Sequence, residues 1–415
     1  MDSPANLPNA KVHPYMTKVR RWHWAMLVFV AGYFIFQNIW LHLLWFGFAV
    51  AFTGAQVHQE WHRTVRPRGF LLMAALFILG MFLLSLRPGL PRPGRPWLGV
   101  ILAIGDGLLL LVFLDAAVRL GRRREWVSRQ VMEWMVRVAG FAAIISLLVY
   151  YWLPGRTFPD SRLENVLVHF GLAPVLTGLT FAFAGLTAAI LAMRKGGSRQ
   201  WLAWQALLLF AALSSHSRGA VLASAVGFTV LVVLTFRKAL WRPLMILMLV
   251  LAVYQWALPL IPKPEAEVNK GSSPAAALVA RKDAGRMLLY RIIWKRIDSP
   301  ADHVLGKGRW ASDQVKPPEM HWHAHHPHSV YLATYYRGGA VGVILLMTVL
   351  GIGLLGCWRA ARAGQPLWLA LACFGLTAFV FDGDDLTTLA SMPRVEPLLL
   401  WLPLAAGVGA SQRIS

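Results

Sequence analysis

The chain has 415 residues, of which 57% are apolar and only 14% are charged, and its mean hydropathy is positive. This composition excludes an ordinary soluble globular protein and is typical of an integral membrane protein. The net charge of +22 could suggest a nucleic-acid partner. Most basic residues, however, stand in short clusters between apolar runs, which the positive-inside rule explains without nucleic acid.

About twelve apolar runs follow one another, most of them long enough to cross a hydrocarbon core of about 30 Å as helices. The first, from Trp24 to Phe52, is too long for one upright span and is interrupted at Gln37 and Asn38, so we interpret it as a helical hairpin. Further spans are predicted at 69–86, 97–118, 134–152, 167–193, 200–216, 219–236, 243–261, 329–356, 366–381 and 396–410. The predicted fold class is an all-α integral membrane protein with about twelve transmembrane helices.

The distribution of basic residues predicts which side of the membrane each connection faces. The N-terminal segment and every second connection carry them: Lys11, Lys18, Arg20 and Arg21, then Arg63, Arg66 and Arg68, Arg119 with Arg122, Arg123 and Arg124, Arg194 and Lys195, Arg237 and Lys238, and Arg359 and Arg362. Both termini are therefore expected in the cytoplasm. The chain then divides into an N-terminal bundle of about nine helices (1–261), a large extracytoplasmic loop with short helices (262–328), and about three C-terminal helices (329–415).

One external connection opposes this rule, because Arg87, Arg92 and Arg95 stand among prolines there. Two interpretations are open. The connection is simply a short solvated loop, or it contacts the anionic headgroups of membrane lipids on the outer face.

A polar turn, Ser214-Ser-His-Ser-Arg-Gly-Ala220, separates two predicted spans at their outer ends. Arg218 is costly near the membrane unless it is paired or faces a watery cavity. It therefore either reaches for lipid phosphates or a neighbouring side chain, or it serves as a fixed cation for an anionic substrate. In the second case Ser217 contributes to binding, Gly219 permits close approach of the ligand, and the following helix adds its positive dipole end.

The external loop contains an apolar and basic segment, Ala284 to Ile297, that is predicted to form an amphipathic helix. Such a helix often only lies on a membrane surface. Arg286 and Arg291 are nevertheless suited to binding a pyrophosphate, because the planar guanidinium can bond two oxygens at once.

Five histidines stand in the eight positions from His321 to His328, where the loop ends. They could bind a metal, although Glu319 is the only acid close to them in sequence. His328 opens the next span, so it is a candidate general base or orienting group, or a simple helix cap. His326 and Tyr331, which flank it, are expected to help bind substrate.

Asp382-Gly-Asp384-Asp385 forms the next outer loop. An Asp-x-Asp motif can hold a divalent metal with a nucleotide sugar, but on this topology it faces the wrong compartment for nucleotide sugars. We expect a structural role, with a carboxylate paired to an outer arginine.

Four of these features occur in a recognisable order on one face: the Ser-Arg-Gly turn, the Arg286-x-x-x-Tyr290 helix, Gly306-Lys-Gly308 and the span-opening His328. Together they resemble the O-antigen ligase family, which includes bacterial O-antigen ligases, O-antigen polymerases and O-linked protein oligosaccharyltransferases. The chain departs from the family's His-Asn pattern, since Ser329 follows His328.

The resemblance implies a glycosyltransferase of the C-type class in the bacterial inner membrane, with its active site facing the periplasm. The expected donor is a glycan on undecaprenyl diphosphate, and the expected acceptor is a sugar hydroxyl of lipid A–core. Carried over by motif position, Arg218 and Arg286 would bind the donor diphosphate and His328 would stand near the acceptor. The resemblance implies neither a metal nor any other cofactor.

Two alternatives remain open at this point. An O-antigen polymerase of the same family would use an acceptor that is itself linked to a lipid diphosphate. A transporter of lipid-linked glycans would perform no chemistry, but transporters tend to place charged groups near the middle of the membrane, in repeated halves.

Overall fold

The structure is a computed structural model, and it describes residues 26–36, 41, 44, 45, 47, 68–87, 96–123, 125–158, 161–168, 174–193, 198–235, 242–248, 250, 286–315, 326–387 and 395–413. Its principal elements are all helices. The protein is an all-α membrane protein, as its composition predicts.

Within the described ranges the helices are numbered α1 to α12 in chain order. They are α1 (Met26–Ile35), α2 (Arg68–Ser85), α3 (Pro96–Arg122), α4 (Glu125–Tyr150), α5 (Pro174–Met193), α6 (Gln200–Ser214), α7 (Arg218–Thr235), α8 (Arg286–Lys295), α9 (Pro300–Leu305), α10 (Val330–Arg362), α11 (Leu367–Phe381) and α12 (Leu402–Gln412). A π-helical turn, Pro397–Trp401, leads into α12.

Among the described residues, the five helices α3, α4, α5, α7 and α10 are long and apolar enough to cross a membrane by length and composition. Shorter apolar helices, including α1, α2, α6 and α11, accompany them. The predicted span at 243–261 and the second arm of the N-terminal hairpin lie largely outside the described residues.

Two predicted helix starts were wrong. Helix α4 begins at Glu125 instead of 134, because Arg129 and Glu133 form an i,i+4 ion pair at 2.6 Å that supports a charged helical turn ahead of the apolar run. Helix α5 begins at Pro174 instead of 167. Before it, the backbone N–H of Leu163 donates to the carbonyl of Ser214 at 2.9 Å, so this segment fastens the end of α6 instead of extending α5.

The membrane helices pack through small residues. A Cβ atom added to Gly409 of α12 would lie 1.9 Å from the carbonyl oxygen of Val118 in α3, so the two backbones touch. A Cβ added to Gly407 would lie 2.2 Å from the sulfur of Cys357 in α10. Glycine permits this close approach, and van der Waals contact between backbones is a main source of helix association in lipid.

Helix α10 is kinked at Gly339, whose backbone angles (φ 57°, ψ −157°) are not helical. The kink leaves the carbonyls of Tyr336 and Arg337 to accept hydrogen bonds from the loop, at 2.8 Å from the N–H of Lys307 and 2.9 Å from that of Gly308. A Cβ on Gly306 would lie 2.4 Å from the carbonyl of Arg337. The Gly306-Lys-Gly308 segment is therefore the point where the loop joins the bundle backbone to backbone.

The loop helices are held by a small apolar core and by ion pairs. Leu289, Ile293 and Ile297 are buried against Tyr336 at the start of α10. Asp302 of α9 lies 2.8 Å from both Arg87, just after α2, and Lys307. Burial alone would raise the pKa of the Asp302 carboxyl, but its bonds to Lys307, Ser299 and Arg87 lower that pKa well below the ordinary value. This carboxylate therefore stays ionised and fastens α9 to α2.

Gly339→Ala is expected to destabilise the protein, because only glycine readily adopts this backbone conformation and strain there costs about 1–3 kcal/mol. A Cβ would also lie 2.4 Å from the carbonyl of Val304. Gly351→Ala is the matched control, since a Cβ in that part of α10 meets no atom within 4 Å. Thermal unfolding in detergent should show a lower Tm for Gly339→Ala and an unchanged or slightly higher Tm for Gly351→Ala. Equal Tm values would contradict the proposed docking at the kink.

Candidate functional site

Four segments meet at the end of the bundle that carries α8 and α9, which we call the loop end. A Cβ on Gly219, at the start of α7, would lie 3.5 Å from the Cβ of Phe381, the last residue of α11. The next residue, Asp382, lies 3.2 Å from Nδ1 of His328. The hydroxyl of Tyr290 in α8 is 3.3 Å from the carbonyl oxygens of both His328 and Val380. The predicted turn, loop helix and histidine therefore share one end of the molecule.

His328 has a left-handed backbone, with φ of 52°. This conformation is uncommon for residues other than glycine and is often found at functional sites. It is held by a hydrogen bond from the His328 N–H to Nδ1 of His326 at 3.2 Å. The next residue, Ser329, caps α10 by accepting the N–H of Leu332. The helix cap is thus supplied by Ser329 and not by the side chain of His328.

The His328 imidazole is paired with the buried carboxylate of Asp382, which also accepts the N–H of Gly383 at 2.8 Å. Burial alone would raise the pKa of Asp382. The hydrogen bond and charge of His328, the charge of His326 and the Gly383 N–H lower that pKa below its ordinary value. An ionised Asp382 favours the tautomer that carries its proton on Nδ1 of His328 and its lone pair on Nε2. An imidazole in this state can accept a proton from a ligand hydroxyl.

Tyr290 links the loop helix to this pair of residues. Burial is the main reason that the pKa of its hydroxyl is raised, so the hydroxyl remains a hydrogen-bond donor. Arg286 stands four residues earlier, on the same face of α8, and its charge acts on Tyr290 together with that of Asp382. Arg286 is half-buried and forms no ion pair within the described part of the chain. It is therefore a cation beside the His328–Asp382 pair without a carboxylate partner of its own there.

Arg218 is the first residue of α7 and is half-buried. The preceding turn is held from outside, since Arg162 donates through Nε to the carbonyl of Ser215 at 3.1 Å. Ser217 is buried and accepts the N–H of Ala220 at 3.3 Å through its side chain. Its observed contact is that of a helix cap, which fixes Arg218 at the positive end of the α7 dipole.

The remaining predicted binding residues are Arg291 and Tyr331. Arg291 is exposed on α8, and its position is about 140° around the helix from that of Arg286. The hydroxyl of Tyr331 donates to the carbonyl of Leu376 at 3.0 Å, which ties α10 to α11.

Arg87 was expected either in a solvated loop or in contact with lipid headgroups, and the structure shows neither arrangement. It is ion-paired with Asp302 and donates to the carbonyl of Gly306 at 3.0 Å, so it fastens the loop. Arg92 and Arg95 lie outside the described residues.

Arg337 of α10 is 8% exposed and was not among the residues predicted from the sequence. It pairs with Asp313 at 2.5 Å and with Asp384, while Arg309 lies 3.7 Å from both Asp385 and Asp106. The expected pairing of this acidic turn with an arginine is found, since Asp385 lies beside Arg309 of the outer loop and Asp384 pairs with Arg337. An arginine inside an apolar run is itself a signal of a specific partner, and it could have directed attention to Arg337.

The structure brings a carboxylate to two of the histidines that were considered as metal ligands. His326, His328 and Asp382 bring one ligand atom each within 4.8 Å of one another. The sequence offered no carboxylate near these histidines except Glu319, because Asp382 reaches them from the end of a different helix. Glu319 and the remaining loop histidines lie outside the described residues.

Fold and site together define a multi-spanning helical membrane protein with cationic groups and a His–Asp pair gathered at one end of its helices. Residues 203–347 match the sequence model of the O-antigen ligase family, and comparison with curated proteins gives no match. This match supports the resemblance to the O-antigen ligase family that the motifs indicated. Together with the candidate membrane spans, the match supports a multi-pass protein of the inner membrane. The matched region contains Arg218, Arg286 and His328, whereas Asp382 lies beyond it.

Proposed function

We propose that this protein is an O-antigen ligase that transfers a glycan from undecaprenyl diphosphate to a sugar hydroxyl of lipid A–core at the periplasmic face. The family assignment supports a glycosyltransferase of the ligase or polymerase type in lipopolysaccharide biosynthesis. The observation that carries the proposal is the meeting of Arg286, Tyr290, His328 and Asp382 beside the Arg218 turn. A cation and a histidine base are the two groups that this transfer requires.

The donor diphosphate is a leaving group whose negative charge grows as the glycosidic bond breaks. Arginines positioned at that charge stabilise the transition state more than the ground state, and this difference is what accelerates the reaction. Arg218 and Arg286 are assigned this role. Arg286 suits it because no carboxylate in the described residues neutralises it. A cage of two guanidinium groups supplies the charge compensation that Mg²⁺ provides in many phosphate enzymes, so the proposed reaction needs no metal.

The acceptor hydroxyl oxygen attacks the anomeric carbon as the bond from that carbon to the diphosphate oxygen breaks. The hydroxyl proton passes to Nε2 of His328, and the bonding electrons leave with undecaprenyl diphosphate. Asp382 holds the imidazole by its Nδ1 at 3.2 Å and stabilises the imidazolium that forms. Attack opposite the departing group in a single step inverts the anomeric configuration.

The acceptor of a ligase carries phosphate groups of its own. Arg291 is exposed on α8 away from Arg286, so it suits a second anionic group better than the donor diphosphate. His326 packs its ring 4.1 Å from that of His328 and is assigned to the same substrate pocket. The proposed topology places the loop end in the periplasm and both termini in the cytoplasm, in keeping with the distribution of basic residues.

The decisive experiment is reconstitution of the purified protein with lipid-linked O-antigen in the presence of excess chelator. Parallel reactions contain either lipid A–core or only further lipid-linked repeat units as acceptor. We expect transfer to lipid A–core with the product anomer inverted. Chain extension without lipid A–core would show a polymerase, and movement of donor between leaflets without any product would show a transporter. A trapped glycosyl-enzyme intermediate would overturn the single-step mechanism.

Arg286→Ala is expected to lower kcat by about 10²–10³-fold, the usual cost of removing one preorganised donor to developing negative charge. Lys295→Ala is the matched control, because Lys295 is an exposed cation at the other end of the same helix. Initial rates at saturating donor should separate the two variants. A similar loss in both would mean that only the net charge of the helix matters, and would contradict a specific role for Arg286.

Asp382→Asn is expected to lower kcat by about 10²–10⁴-fold with little change in the KM for donor, since the amide favours the wrong imidazole tautomer. Residues that act as one unit are not additive, so the double variant with His328→Ala should be no slower than His328→Ala alone. Steady-state kinetics of the three variants, with Tm values to exclude misfolding, provide the measurement. Independent, multiplicative losses would show that Asp382 does not act through His328.

A further inference from the structure

His326, His328 and Asp382 also have the composition and spacing of a transition-metal site. Two imidazoles and one carboxylate form a nitrogen–oxygen ligand set that suits zinc and its neighbours in the first transition row. Three protein ligands with an open fourth position are usual where a zinc ion also takes water or substrate. The carboxylate is buried, while both histidines are partly exposed, so the group is open to solvent on the histidine side.

The distance between Nδ1 of His328 and Oδ1 of Asp382 is 3.2 Å. Two ligand atoms at about 2.0–2.2 Å from one tetrahedral zinc ion lie about 3.4 Å apart. A zinc ion can therefore take the place of the proton shared by these two atoms with a shift of only a few tenths of an ångström. The geometry that suits a general base thus also suits a metal ion.

His326 supplies the third ligand from the same short turn. Its ligand atom lies within 4.8 Å of the other two, and its Nδ1 accepts the backbone N–H of His328 at 3.2 Å. Binding requires an approach of about an ångström by this side chain, which is half-buried and belongs to the loop. Residue 325 and those just before it lie outside the described residues and are not part of this site.

Local charge favours a cation here. The buried carboxylate of Asp382 has a second buried carboxylate near it, that of Glu396, which accepts the N–H of Asp384 at 3.2 Å beside the same turn. The positive charge of Arg286, which acts on neighbouring Tyr290, opposes this attraction. The site is therefore expected to exchange its ion reversibly and not to hold it as a permanent structural metal.

We propose that His326, His328 and Asp382 bind a divalent cation of the zinc class, and that the bound ion inhibits glycan transfer. A metal on Nδ1 of His328 replaces the hydrogen bond to Asp382 and leaves the imidazole proton on Nε2, so that Nε2 has no lone pair to receive the acceptor proton. The inhibitory part of this inference rests on the proposed function, whereas the binding part does not.

Binding is tested with Co²⁺ as a spectroscopic substitute for zinc, on purified protein in detergent without a polyhistidine tag. The wild-type protein should bind one Co²⁺ per chain at this site, with visible absorption bands of low coordination number. Asp382→Asn and His326→Ala should each weaken this binding at least tenfold. His303→Ala is the matched control, because its imidazole belongs to the same loop and is bonded to the hydroxyl of Tyr335 at 2.8 Å; it should bind as the wild type does.

The Asp382→Asn variant distinguishes this site from other histidines in the sequence. Unchanged Co²⁺ binding in that variant, or no binding by the wild-type protein, would overturn the metal site. Transfer by the reconstituted wild-type protein should fall at least tenfold with saturating Zn²⁺ and return on addition of chelator. Stimulation by Zn²⁺ would overturn the inhibitory role. Cobalt binding without any glycan transfer would leave the metal site standing and would count against the proposed function.

Discussion

The backbone contact between the loop and helix α10 is the constraint on which the site depends. A kink inside a membrane helix exposes carbonyl groups that lipid cannot satisfy, and each unsatisfied group costs several kcal/mol. Here the carbonyls of Tyr336 and Arg337 are satisfied by the N–H groups of Lys307 and Gly308. The loop and the kink therefore stabilise each other, and helix α8 is placed over the start of α10. His328 and Tyr290 come together because of this docking.

The arginines at the loop end fall into two groups with different physical consequences. Arg337, Arg309 and Arg87 lie against carboxylates, and their charges are used to join α2, α3, α10 and α11 to the loop. Removing one partner from such a pair leaves a buried charge uncompensated. Arg286 differs, because the described residues provide it with no carboxylate. Arginine thus stabilises the fold where it is paired with a carboxylate, and it is suited to binding an anionic ligand where it has no such carboxylate.

Hydropathy predicted most of the membrane helices, because a span must be apolar over a fixed length whatever its neighbours are. Helices α7 and α11 start and end within two residues of their predicted bounds. Charged helical turns stabilised by ion pairs, as at the start of α4, carry no hydropathy signal and were missed. Contacts between segments that are distant in sequence also could not be predicted from a single sequence. His328 and Asp382 are 54 positions apart, and only the packing of α10 against α11 brings them together.

The left-handed backbone at His328 explains why one residue can belong to both a helix start and a reactive pair. With this φ of 52°, the imidazole lies beside the end of α11, where Asp382 is buried. The strain is opposed by bonds to His326, Asp382 and Tyr290. Since Tyr290 belongs to the helix that carries Arg286, the position of the proposed base depends on the docking of the proposed phosphate-binding helix.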